Sequence, residues 1–331
     1  MQSPLSRPYL AIMFAAISVR LVLIAIPFPY VPDVYYYDSQ GVKALAAGVD
    51  PYGFAYTVPP ALQTAGAANV FAYLPGVLVL LFPFGVLTDV RLGLVLCDIL
   101  VAWGIYSLVG RRGPLGALVF LALPFTALFS TWYPNDTLVA MAFLGTSLAL
   151  GQKRPATLSA VLFGFALASS QFVWIAYPFF LARDIALRRL REIAIGLAVA
   201  GAVVLPFFLW NPTAFVDNTL VFVTGRPVQG LVTPEPFGFN VNPTLSGLAL
   251  TSLGLAVPLW LKAGIVLPVL VYLLWSMRSQ ERYLLGVSFF LLACIFVLPD
   301  DFSWWYLELP FQTLLLWFLV RGEPSEIPAN A

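Results

Sequence analysis

Long apolar runs recur along the whole chain, separated by short polar segments. A run of about 20 apolar residues crosses the roughly 30 Å hydrocarbon layer of a bilayer as an α-helix. The pattern therefore predicts an all-α polytopic membrane protein with about ten transmembrane helices, within a range of about nine to twelve. The candidate spans are 9–28, 92–109, 114–131, 136–151, 155–169, 171–182, 192–210, 259–277, 283–298 and 304–320.

Two further apolar stretches, 70–87 and 244–257, are placed by the basic residues, which stay on the cytoplasmic side of a membrane. If 70–87 crosses the bilayer, two of the basic clusters fall outside; if it lies in the interface or re-enters, every cluster falls inside. Pro75 and Pro83 also favour an interfacial or re-entrant helix. The same reasoning makes 244–257 a shallow exterior helix. The clusters lie at 111–112, 153–154, 183–191, 278–282 and 321.

This topology makes residues 1–322 a single integral membrane domain with a polar tail at 323–331 and both termini in the cytoplasm. The exterior side then receives loop 29–90, with its juxtamembrane helices, and loop 211–258. The segment 155–182 is short for two spans, so a single long helix is an alternative there. Short spans are tolerated where they wall a water-filled cavity.

Composition supports a lipid environment. Only 10% of the 331 residues are charged and 60% are hydrophobic, whereas soluble domains carry about 25% charged residues. The expected location is the plasma membrane, with multiple passes. The net charge of +1 gives no electrostatic argument for a nucleic acid partner. Histidine is absent, so acid–base chemistry must use carboxylates, Tyr or Lys. Cys97 and Cys294 lie in apolar runs and are interpreted as packing residues.

Most acidic residues fall on the predicted exterior side, so we expect the functional site to face the exterior. Asp33 directly follows the first span, in a segment that continues through Tyr36 to Asp38. A carboxylate at a bilayer surface is partly desolvated, which raises its basicity, and it can deprotonate a sugar hydroxyl. The alternative is an interfacial belt of tyrosines with a solvated aspartate.

Five other polar or aromatic residues are candidates on the same side. Asp136 opens the fourth span, where it also suits a helix N-terminus. Arg226 is the only arginine of the second loop, and its planar fork suits a phosphate, with a loop salt bridge as the alternative. Asn242 lies in a helix-opening turn. Trp305 and Tyr306 either stack on a sugar or anchor the last span.

Two pairs of opposite charge are interpreted as structural. Asp98 lies inside the second span, and Arg20 of the first span is its expected partner. Asp89 and Arg91 are expected to form a local pair at the membrane interface.

Three features in this order resemble the GT-C superfamily of membrane glycosyltransferases, over roughly residues 9–245. The resemblance is to the branch that uses polyprenyl-phosphate sugars and includes bacterial mannosyltransferases. The first feature is the acid after the first span, continued as DVYYYDSQGVKALAAGVDPYG, and the second is WYPND before the fourth span. The third is the run from Gly164 to Gln171 followed by Pro178, similar to a G-x-A-x-x-x-K-x-x-P stretch, with Gln171 near the position of the lysine.

The resemblance implies an inverting transfer of a hexose such as mannose from a polyprenyl-phosphate carrier. The acceptor would be a glycan, glycolipid or glycoprotein, and Asp33 would be the catalytic base. Arg226 would hold the phosphate. The other substrate-binding residues would be Tyr36, Asp38, Asp136, Asn242, Trp305 and Tyr306.

No cofactor is required by this chemistry, since phosphate is a good leaving group. Some members of the superfamily bind a metal through two exterior acids, and Asp33 with Asp136 could do so. Pro134 and Asn135 stand where a second acid would complete such a pair, which argues against a metal site. Two alternatives differ in class: a lipid or solute transporter or flippase, and a degenerate, non-catalytic GT-C-like membrane protein. The chain lacks the inverted repeats of many transporters, whereas Gln171 in place of lysine would fit a degenerate enzyme.

Overall fold

The structure is a computed structural model, and every element that it describes is helical. It describes residues 7–27, 32–60, 70–108, 113–132, 137–150, 156–186, 188–221, 244–255, 257–276, 280–298 and 307–320. Its helices are α1 Arg7–Ala25, α2 Asp33–Ala46, α3 Gly76–Leu87, α4 Arg91–Leu108, α5 Gly113–Ala122, α6 Pro124–Thr131, α7 Thr137–Leu150, α8 Ala156–Leu167, α9 Gln171–Ala186, α10 Leu190–Trp210, α11 Pro212–Val216, α12 Leu245–Leu253, α13 Leu259–Ser276, α14 Gln280–Val297 and α15 Glu308–Val320. A π-helical turn, Asp217–Val221, follows α11.

One helix of the described part, α10, is long and apolar enough by itself to cross a membrane. It has 21 residues and a mean hydropathy of 2.4. Several shorter apolar helices of 10–17 residues accompany it. Large apolar side chains on the outer surface of the bundle, such as Phe14, Leu209 and Trp260, are at least 70% exposed. An exposed apolar surface of this kind is typical of a protein that contacts lipid or another apolar surface.

Two of the candidate spans are interrupted. The predicted span 114–131 is divided into α5 and α6 at Leu123, because Pro124 lacks a backbone donor and starts a new helix. The segment 155–182 forms two helices, α8 and α9, rather than one. The backbone N–H of Phe172 donates to the Ser170 side chain at 3.2 Å, which caps the start of α9.

Helix α9 turns back along α8. Phe163 of α8 stacks on Phe180 near the end of α9, with ring centroids 4.0 Å apart. Helix α8 also packs closely on α10, since a Cβ at Gly164 would overlap the carbonyl oxygen of Gly196. The pair α8–α9 is therefore an antiparallel hairpin of short helices.

Helix α3 begins and ends at the same face of the bundle. At its start, the Gly76 backbone N–H donates to the Ala168 carbonyl in the α8–α9 turn at 2.7 Å. At its end, Arg91 opens α4 and donates to the carbonyl of Thr131, the last residue of α6, at 3.4 Å. We call this side the loop face, formed by residues 32–58, 70–90, 168–171 and 211–221. The interfacial or re-entrant position of 70–87 relative to a bilayer stays a prediction.

A buried ion pair joins α1 to α4. The Arg20 Nε donates to Asp98 Oδ2 at 2.7 Å, and the two side chains are 1% and 0% exposed. Arg20 also donates to the Leu121 carbonyl at 3.2 Å and to the Thr126 hydroxyl at 2.9 Å. The predicted pairing of Arg20 with Asp98 is confirmed. Cys97 and Cys294 are buried free thiols, as expected of packing residues.

Candidate active site

Asp33 is the first residue of helix α2, not part of a loop. Pro32 before it has an extended backbone, with φ −63° and ψ 158°, and begins the helix. Proline and an acid at a helix N-terminus are both favourable, and Lys43 in the last turn complements the other end. One face of α2 packs against α3 through small and apolar residues, including Gly41 and Val42.

The Asp33 carboxyl group is half-buried at the start of this helix. Its Oδ1 accepts a hydrogen bond from the Val34 backbone N–H at 2.9 Å. Burial raises the pKa of Asp33 above its ordinary value, while the backbone hydrogen bonds and the hydroxyl of Tyr37 oppose that rise without cancelling it. Asp33 is therefore a stronger base than a solvated aspartate, and it keeps partial access to solvent.

The other acid of this helix, Asp38, is fully buried. It is 0% exposed and belongs to the packed face of α2. Burial raises the pKa of Tyr56 strongly, and the charges of Asp38 and Asp50 raise it further. Asp38 was expected to line the substrate site. In this structure its side chain is closed off from solvent, on the buried face of α2.

Tyr36 lies half-buried beside a small aromatic and charged cluster. Its ring meets that of Tyr35 edge-on, at 5.7 Å between centroids. The Arg91 guanidinium lies 5.2 Å from the centre of the Tyr35 ring and pairs with Asp89 at 2.7 Å. The predicted Asp89–Arg91 pair is confirmed, and it contacts Tyr35.

A contact that the sequence analysis did not anticipate fixes the loop after α2. Both carboxylate oxygens of Asp50 accept backbone hydrogen bonds, from Tyr52 at 3.0 Å and from Gly53 at 2.9 Å. Asn211 Nδ2 donates to Asp50 Oδ2 at 2.9 Å, and its own oxygen caps α11 by accepting from the Ala214 N–H at 3.1 Å. This bridge ties the first loop to the end of α10.

Gln171 makes a second bridge on the loop face. Its amide nitrogen donates to the Ala72 carbonyl at 2.8 Å and to the Thr219 carbonyl at 3.0 Å. The resemblance placed a lysine near this position. In this chain the glutamine joins three segments that are distant in sequence.

The remaining predicted site residues lie outside the described residues and stay predictions. They are Asp136, Arg226, Asn242, Trp305 and Tyr306. Within the described ranges, no group of three or more His, Cys, Asp or Glu residues could hold a metal ion. Of the predicted site, the structure thus brings Asp33, Tyr36 and Asp38 together on one helix.

The fold of the chain matches a solved membrane protein structure. The crystal structure of ArnT from Cupriavidus metallidurans bound to undecaprenyl phosphate aligns with a TM-score of 0.58 and 14% identity. The alignment covers 96% of this chain and 60% of the ArnT chain. ArnT belongs to the GT-C family, so the fold of this chain is GT-C-like. No protein-family model matches the sequence, and no curated protein matches it either.

Proposed function

We propose that this chain is a multi-pass membrane glycosyltransferase that moves a sugar from a polyprenyl-phosphate carrier to an acceptor. The observation that carries the proposal is the GT-C-like fold across 96% of the chain, in which Asp33 opens the first helix of the loop face. The bound undecaprenyl phosphate of ArnT supports a lipid phosphate donor. The short apolar helices and the lipid-like outer surface support about ten spans, and the arginine distribution supports an exterior site.

The chemistry needs one base and a stabilised leaving group. Asp33 takes the proton of an acceptor hydroxyl while that oxygen attacks the anomeric carbon. The bond from this carbon to the phosphate oxygen breaks, the lipid phosphate leaves, and the configuration inverts. The raised pKa of Asp33 suits this role, because a carboxylate relieved of some solvation accepts a proton more readily. Arg226 is the proposed phosphate ligand.

The substitution Asp33→Asn tests the proposal. It keeps the size of the side chain but removes the base, so transfer of labelled sugar from polyprenyl-phosphate sugar should fall by about 10²–10⁴-fold. Asp217→Asn is the matched control, because Asp217 is an exposed acid of the loop face outside the proposed site. The rate is measured with purified variants in lipid vesicles.

The same variant should fold as well as the parent. When folding raises the pKa of a carboxyl group, the folded state binds the proton more tightly than the unfolded state. The group therefore stabilises the fold at a pH below its unfolded pKa. This stabilisation is lost as the pH rises through the folded pKa. At neutral pH the ionised Asp33 therefore opposes folding, and Asp33→Asn should melt at the parent temperature or above. Full transfer activity in Asp33→Asn would overturn the assignment of Asp33 as the base.

A further inference from the structure

The hydroxyl of Tyr37 is buried near the Asp33 carboxyl group without forming a well-defined hydrogen bond to it. The side chain is 3% exposed, and its oxygen has no hydrogen-bond partner in the structure. Buried hydroxyl groups in folded proteins nearly always have a partner, so an exception requires an explanation. Phenylalanine, which has the same ring without the hydroxyl, would fill nearly the same space without this cost. Packing alone therefore does not account for a hydroxyl at this position.

The surroundings of Tyr37 fix its ring and leave its hydroxyl near the Asp33 carboxyl group. Its ring packs edge-on against that of Tyr56, at 5.6 Å between centroids. The Tyr56 hydroxyl is already engaged, since it donates to the Pro51 carbonyl at 2.7 Å. On α2 itself, Tyr37 is one helical turn after Asp33, and residues at this spacing are neighbours on a helix surface.

We propose that Tyr37 is the positioning residue of the catalytic base: its hydroxyl donates to the ionised Asp33 carboxylate and orients it toward the acceptor hydroxyl. This inference rests on the proposed function. One carboxylate oxygen of Asp33 accepts from the Val34 backbone N–H. A bond from Tyr37 would restrain the carboxylate further and stabilise its charge. A fixed base lowers the barrier because less reorganisation is needed at the moment of proton transfer.

Electrostatics around the pair agree with this role. Burial, followed by the charge of Asp33, raises the pKa of Tyr37 far above its ordinary value, so the hydroxyl remains a donor at any working pH. In the other direction, the hydroxyl opposes the desolvation that raises the pKa of Asp33. Tyr37 thereby keeps the base ionised at a lower pH than burial alone would allow.

The remaining titratable groups near this pair are few in the described part of the chain. Helix α3, which packs against α2, carries none. Helix α2 itself carries Tyr35, Tyr36 and Asp38. Tyr56 of the following loop contacts the Tyr37 ring, and Asp89 and Arg91 contact Tyr35. All of these groups remain in a Tyr37→Phe variant, so a change in the pH profile of that variant reports the loss of the hydroxyl.

The substitution Tyr37→Phe tests the proposal. We expect kcat to fall by about 10- to 100-fold, the equivalent of one hydrogen bond to a charged group, with the KM for the donor unchanged. The acid limb of the kcat/KM profile should move to higher pH, because Asp33 loses a group that lowers its pKa. Tyr272→Phe is the control, since Tyr272 lies on the outer surface of α13 at 64% exposure.

A second measurement does not depend on transfer. The difference in melting temperature between the parent and Asp33→Asn, followed against pH, reports the ionisation of Asp33 in the folded protein. Introducing Tyr37→Phe into both should move that transition to higher pH. An unmoved transition together with a parental kcat and acid limb would overturn the role of Tyr37. By contrast, full activity in Asp33→Asn would overturn the base itself, so the two failures are distinguishable.

Discussion

At the scale of single residues, three aspartates have three different environments. Asp98 is buried and paired with Arg20. Asp38 is buried on the packed face of α2, and Asp33 lies half-buried at the start of the same helix. An acid is suited to proton transfer where it is partly desolvated, reachable and not neutralised by a fixed cation. Among these three, only Asp33 meets the conditions.

The Arg20–Asp98 pair should stabilise the fold without taking part in chemistry. Asp98→Ala leaves the buried guanidinium without its counter-charge, and we expect a loss of about 3–5 kcal/mol in the free energy of unfolding. The double variant Arg20→Met/Asp98→Leu should recover most of that loss, because it removes both charges from the interior. Thermal unfolding in detergent measures both. A double variant as unstable as Asp98→Ala would show that shape, rather than charge, dominates this site.

At the scale of helices, breaks and close approaches decide how the short elements pack. Pro124 divides α5 from α6, and Ser170 caps the start of α9. The α8–α9 hairpin places its turn on the loop face, where Ala168 accepts from the Gly76 N–H. The short helices thus pack against the loop face, which carries Asp33.

The crossing of α8 and α10 requires glycine. In Gly164→Ala the new methyl group would overlap the Gly196 carbonyl oxygen and lie 2.8 Å from Val199 Cβ, so the helices must separate. We expect a destabilisation of about 1–3 kcal/mol, the usual cost of overpacking. Gly264→Ala is the matched control within a helix, since nothing lies within 4 Å of its added Cβ. That variant should melt at the parent temperature or higher, because alanine favours a helix by about 1 kcal/mol over glycine. Equal melting of both variants would contradict the close crossing.

At the scale of the whole molecule, the bundle has two unlike ends. The loop face carries Asp33 and the bridges of Asp50 and Gln171. The opposite end carries Arg183, paired with Asp184 at 3.0 Å, and the arginines before α10. Basic residues mark the cytoplasmic side of membrane proteins, so we expect the loop face to be exterior.

Cysteine labelling tests this orientation. Lys43→Cys on α2 and Arg191→Cys at the start of α10 replace exposed side chains at the two ends. An impermeant thiol reagent should label the first in intact cells and the second only after permeabilisation. The parent is the control, because Cys97 and Cys294 are buried. The reverse pattern would invert the orientation, and labelling of both from outside would show that α10 does not cross.

The sequence by itself determined the class of fold, because apolar runs, prolines and charge distribution are local properties that lipid and water act upon directly. It also singled out Asp33 and paired Arg20 with Asp98. It did not determine the break at Leu123 or whether 155–182 forms one helix or two. Uniformly apolar helices carry little periodicity, so their packed faces cannot be read from the pattern.

Only the tertiary structure decided which polar groups meet. The Asn211–Asp50 bond joins residues 161 positions apart, and Gln171 reaches Ala72 across 99 positions. Contacts at such separations depend on how several helices pack together, and no local pattern encodes them. For the same reason the burial of Asp38 and the partnerless hydroxyl of Tyr37 became visible only in three dimensions. Two acids five residues apart on one helix acquire different chemistry because one faces the packed layer and the other lies at its edge.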